Sequence, residues 1–150
     1  MASLNDKLIA DMKEAMKQKE AGKIRLSTIR LLRAAQKEAE VARTRELDDE
    51  EILELAVREV KKRKDAIPEY ERAGRPEMIR QLHEEIAVLQ TYLPEQIGED
   101  ELKRIVYGVI EETCASSAKD MGRVMQALMS RVKGRADGTL VSQLVKEMLK

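Results

Sequence analysis

The sequence predicts an all-α protein: an N-terminal helical domain of about four helices, residues 1–93, and a small three-helix domain, residues 94–150. Three observations carry that reading. Aromatic residues are scarce, three Tyr with no Phe or Trp, so the core must come from Leu, Ile, Val, Ala and the eight Met. That palette suits helix packing better than sheets. Apolar residues recur at three- and four-residue spacing along most of the chain. Charged residues of both signs make up 37% of the sequence, interspersed as on solvated helix faces, and the net charge is zero.

The elements follow in order. Ser3 is a candidate N-cap for a first helix with Leu4, Leu8, Met12 and Met16 at spacing four, and Ala21-Gly22 marks a break. A second helix runs from about Lys23 to Arg43, with Ile24, Thr28, Leu31, Leu32 and Ala35 on one face. Asp48 to Glu51 place four acids at the positive N-terminus of a third helix, whose apolar stripe is Leu53, Val57 and Val60. Pro68 falls within that helical pattern and should kink or end it. Gly74-Arg75-Pro76 is a turn into a fourth helix, with Ile79, Leu82, Ile86 and Leu89 inward. Tyr92 to Gly98, where periodicity stops between Pro94 and Gly98, reads as the interdomain linker. Three short amphipathic helices follow, led by Leu102, Val106 and Val109, by Val124, Met125 and Leu128, and by Val141, Leu144 and Val145. They are expected to enclose a small Met-rich core.

No catalytic constellation assembles. His83 is the single histidine, flanked by Glu84 and Glu85, and reads as a solvated residue. Cys114 reads as a buried, inert cysteine at a helix end. One His and one Cys exclude the common zinc spacings, and no glycine-rich nucleotide loop occurs, so neither metal nor cofactor is expected. Ser116-Ser117 read as capping residues. A lone cysteine, no basic segment leading into an apolar stretch, and no apolar run of about 20 residues predict a cytoplasmic protein without a membrane span.

Two basic features remain. Arg58 to Lys64 is one; its Glu59–Arg63 spacing favours a solvated, ion-paired helix face. The other is C-terminal. From Arg123 to Lys150 there are six Lys/Arg and two Asp/Glu in a chain of zero net charge. Lys119 and Arg123 lie four apart on a solvent face, while Arg131, Lys133 and Arg135 cluster at a helix end and in a loop with Gly134 and Gly138. Gly138 leads into a helix N-terminus whose free amides would favour an anion. A phosphate-binding surface and a tight helix–helix turn account for this loop equally well. No aromatic residue interleaves with the cations, so folded RNA fits better than stacked single strands.

Tyr92-Leu-Pro-Glu-Gln, Asp120-Met-Gly-Arg-Val-Met and Val132-Lys-Gly-Arg-Ala-Asp-Gly resemble the YqeY family, stand-alone relatives of the tail domain of the GatB subunit of tRNA-dependent amidotransferases. Arg58-Glu-Val-Lys-Lys-Arg-Lys-Asp and Glu85-Ile-Ala-Val-Leu-Gln-Thr-Tyr-Leu-Pro extend the similarity over essentially the whole chain. Pro68 departs from the uninterrupted helix that the resemblance implies. The resemblance implies a GatB-tail-like C-terminal domain that contacts the folded body of tRNA and performs no chemistry. The expected function is thus a non-catalytic tRNA- or RNA-binding adaptor serving an aminoacylation or amidation complex. Its implied RNA-facing residues are Lys119, Arg123, Arg131, Lys133 and Arg135. A carbon–nitrogen ligase label with glutamine as amido donor would reach this chain only through the family name. The alternative is a helical protein-interaction module that docks through the second and third helices.

Overall fold

The computed structural model describes residues 3–149. Seven α-helices appear among them: α1 Leu4–Lys17, α2 Lys23–Arg43, α3 Asp49–Arg72, α4 Pro76–Gln90, α5 Glu99–Glu112, α6 Met121–Val132 and α7 Gly138–Met148. The chain packs as two compact units that divide between Leu93 and Pro94.

In the first unit, α3 packs on α4, and α2 on α1, α3 and α4. The core is Leu8, Ile29, Leu32, Leu47, Ile52, Ala56, Val60, Ile86, Leu89 and Tyr92. Two helix starts carry reciprocal caps. Ser3 and Asp6 form one at α1, and Asp48 and Glu51 form the other at α3, where each side chain accepts the other residue's backbone N–H. Between α1 and α2, a 3-10 turn over Lys19–Gly22 brings the backbones so close that a Cβ on Gly22 would stand 2.2 Å from the Ala15 carbonyl oxygen. Only glycine fits there.

Several apolar stripes differ from expectation. Spacing four advances about 40° per step around a helix, so the line Leu4, Leu8, Met12, Met16 turns out of the core; Met16 is exposed and Ala15 is buried instead. On α2 the buried face is Thr28, Ile29, Leu32 and Gln36, and Leu31 points to solvent. On α3 it is Ile52, Ala56, Val60 and Arg63, with Leu53 and Val57 half-buried at its edge. Both helices carry more apolar residues than one face holds, so periodicity alone admits two faces; the packing neighbours select one.

Pro68 does not end α3, which continues to Arg72. The donor that Pro68 lacks would have bonded the Lys64 carbonyl, and both residues are exposed, so water can serve that carbonyl. His83 is exposed.

In the second unit α5, α6 and α7 pack mutually. The core is Leu102, Val106, Val109, Val124, Leu128, Val132, Val141, Leu144, Val145 and Leu149. It is a Val/Leu core, not a Met-rich one. Met121 and Met125 are half-buried, and Met129 and Met148 are more than a third exposed. Cys114 is exposed, contrary to its expected burial. It follows the end of α5 with φ +54°, where its N–H donates to the Glu111 carbonyl and the Ala115 N–H to the Ile110 carbonyl. This is the left-handed helix stop that glycine usually provides. Ser117 caps the 3-10 turn Ala118–Asp120 that leads into α6.

Candidate nucleic-acid interface

The basic loop begins where α6 ends. Lys133 (φ −55°, ψ 123°) and Gly134 (φ +76°) form a type II turn, closed by the Arg135 N–H donating to the Val132 carbonyl at 2.8 Å. The third position of such a turn needs positive φ, so Gly134 is a conformational requirement. Lys133, at the preceding position, is exposed.

This turn is braced by the segment expected to act as a linker. Gln96 Nε2 donates to the Gly134 carbonyl at 2.9 Å, and the Ile97 N–H to the Arg135 carbonyl at 2.8 Å. Arg135 Nε in turn donates to the Glu95 carbonyl at 3.2 Å. Ile97 packs on the second core, while Tyr92 is buried in the first. Each end of the segment is thus anchored within its own unit.

The five candidate cations fall into two groups. Arg131, Lys133 and Arg135 lie together at the C-terminal end of α6. Lys119 and Arg123 lie at its other end, with Arg123 about 12 Å from Arg131 along the axis. Most are engaged. Arg131 Nη2 donates to Glu112 on α5 at 2.6 Å, and Arg123 Nη2 to Asp120 at 3.1 Å. Both guanidiniums are half-exposed, and such pairs are worth about 0–1 kcal/mol, so an incoming phosphate can displace the carboxylate. Asp120 is held below the usual carboxylate range, chiefly by the Ser116 backbone N–H, against an opposing effect of burial, with help from Ser117 and Arg123.

The start of α7 overturns one expectation. Asp137 is its N-cap, and its carboxylate accepts the Thr139 N–H at 2.9 Å. A carboxylate thus occupies the position proposed for an external anion, because an acid directly before Gly138 caps the helix itself.

Charge is segregated within this unit. Residues 94–112 hold six acids and two bases, and residues 119–135 hold five bases and one acid. Glu112, Glu95 and Gln96 brace the basic loop, yet they lie 19 to 40 residues from their partners. No local pattern reveals such pairings.

In the other basic stretch Arg63 is buried and structural, while Lys61 and Lys62 form exposed ion pairs. Arg63 is 8% exposed and bonds Glu59 and, across the helix interface, Glu85; Lys62 pairs with Glu59 and Lys61 with Asp65. Among the described residues no group of three or more His, Cys, Asp or Glu could hold a metal ion, and no helix is long and apolar enough to cross a membrane.

A relative named "Altered inheritance of mitochondria protein 41, mitochondrial", from Pyrenophora tritici-repentis, is 31% identical over 150 residues, covering 95% of this chain and 79% of its own length. The sequence model of the Yqey-like proteins matches residues 5–149, and with that match over nearly its whole length the chain belongs to the YqeY family.

Proposed function

We propose that this protein is a non-catalytic RNA-binding adaptor that meets the phosphate backbone of a folded RNA, tRNA foremost, through the turn between α6 and α7. The observation that carries the reading is the braced type II turn. It holds Lys133 outward between Arg131 and Arg135, on backbone fixed by Gln96 and Ile97. Cations carried on a preorganised backbone lose less freedom when phosphates arrive than cations on a mobile loop. The likeness of the loop motif to the GatB tail names tRNA as the first RNA to test, and an amidation or aminoacylation complex as the setting.

The experiment is binding to total tRNA across a salt series. Three neutralised phosphates give a slope of log affinity against log salt of about −3. Arg131→Ala/Lys133→Ala/Arg135→Ala should abolish most of that slope while helicity stays unchanged. A flat salt response in the unaltered protein would sink the reading.

A further inference from the structure

Helix α2 buries one face and leaves the other bare. Opposite Ile29, Leu32 and Gln36 lie Ser27, Leu31, Ala34 and Val41, all exposed, with Leu31 at 53% and Val41 at 78%. Ser27, Ala34 and Val41 repeat every seven residues, and Leu31 falls four after Ser27. This is the spacing of the seam along which two helices pack. Glu38 is the one charge in it.

Along one edge of the seam run Lys23, Arg30 and Lys37, also seven residues apart, or about 10 Å along the axis. All three are exposed, and none makes a side-chain hydrogen bond or ion pair among the described residues. The other arginines on the helix differ: Arg25 pairs with Asp11, Arg33 reaches the Met12 sulfur, and Arg43 pairs with Glu51. The unused cations thus coincide with the unused apolar seam.

We propose that this face of α2 docks an acidic amphipathic helix of a partner protein. Leu31 and Val41 supply the apolar contact, Ala34 lets the partner backbone approach closely, and the cation row selects a helix edged by Glu or Asp. A second copy of the chain fits poorly. Antiparallel pairing would set Arg30 against the other copy's Lys37, and parallel pairing would set the row against Ala35 and Ala42, which carry no charge. RNA would use the cations and leave Leu31 and Val41 without a contact.

The test uses the full-length protein and two synthetic heptad peptides, both with Leu at the seam positions, one edged by Glu and the other by Lys. Fluorescence anisotropy should show the acidic peptide binding at least about tenfold tighter than the basic one. Arg30→Glu/Lys37→Glu should reverse that preference, and Val41→Asp should weaken the acidic peptide by a similar factor; all three positions are exposed, and circular dichroism should be unchanged. Equal affinity for the two peptides, no binding, or acidic-peptide binding that survives both variants would overturn the proposal. A loss of tRNA binding in Arg30→Glu/Lys37→Glu exceeding that of the loop variant would assign the row to RNA instead.

Discussion

Arg63 on α3 and Glu85 on α4 meet across the helix interface at 2.9 Å, with their side chains only 9% and 12% exposed. Arg63 also donates to the Glu59 carboxylate at 3.1 Å and to the Glu59 backbone carbonyl at 3.0 Å, so each buried charge has its partners. Removing Glu85 leaves the buried Arg63 with Glu59 as its remaining carboxylate partner. Glu85→Ala should destabilise the first unit by about 1–3 kcal/mol, whereas Arg63→Met/Glu85→Leu should recover most of that loss. Urea unfolding of the three proteins decides it; equal destabilisation of single and double variants would show that the pair acts through packing alone.

Acid stability should depend on Glu51. It takes hydrogen bonds from Arg45 and from the Asp48 backbone N–H, with Arg43 adding its charge, and its carboxyl is held down at about 2 from a usual 4.5. Burial acts on Glu59 in the opposite sense, but hydrogen bonds from Lys62 and Arg63 outweigh it and leave that group lowered as well. A carboxylate lowered in the folded state contributes its full stabilisation above the unfolded value and loses it as pH falls toward the folded one. Stability should therefore decline between about pH 4.5 and 2, and Glu51→Gln should flatten the decline. Thermal melts across this range measure the slope.

At the alkaline end the corresponding residue is Tyr92. Its hydroxyl donates to Asp11 at 2.5 Å, and Lys7 lies 5.2 Å from its ring centre. Burial, and then the Asp11 carboxylate, raise its ionisation well above the usual 10. A phenol raised in the folded state stabilises fully below pH 10 and loses that contribution as pH climbs beyond it. Tyr92→Phe should cost about 1–3 kcal/mol at neutral pH and remove much of the alkaline decline. An unchanged alkaline slope in the variant would place its origin elsewhere.

Two left-handed positions offer stability gains. Thr44 and Cys114, each at φ +54°, stop α2 and α5 in the conformation that glycine adopts without steric cost. Thr44→Gly and Cys114→Gly should each stabilise by about 0.5–1 kcal/mol, with Thr44 the larger because it is β-branched. The two lie in different packed units, so their effects should add within about 0.5 kcal/mol. Calorimetry of the single and double variants tests both statements.

Helix positions and caps were legible because they are local. Ser3, Asp48 and Ser117 sit where short-range chemistry puts them. Which face of a helix turns inward was less legible: α2 has three neighbours, and their arrangement rather than its own period sends Ile29 inward and Leu31 outward. The same distinction divides the candidate interface. The glycine at the Lys133–Gly134 turn is required by local backbone geometry, and the basic cluster around it is plain in the sequence. The Glu112 carboxylate that engages Arg131 is a long-range partner, and Asp137 is a cap whose acid reads locally only once the helix start is placed at Gly138.

Removing Glu112 should strengthen any phosphate contact that Arg131 makes. Its carboxylate holds Arg131 at 2.6 Å on a half-exposed surface, so breaking the pair should change stability by less than about 1 kcal/mol. It also releases a guanidinium beside Lys133 and subtracts a charge that repels phosphate. If the α6–α7 turn binds RNA, Glu112→Gln should tighten tRNA binding severalfold at low salt, and the gain should shrink as salt rises because it is electrostatic. Glu77→Gln, which alters another exposed acid in the first unit, provides the comparison. A gain confined to Glu112→Gln locates the phosphate at Arg131. Equal gains in the two variants would mean that RNA responds to net charge alone, without using this turn as a defined contact.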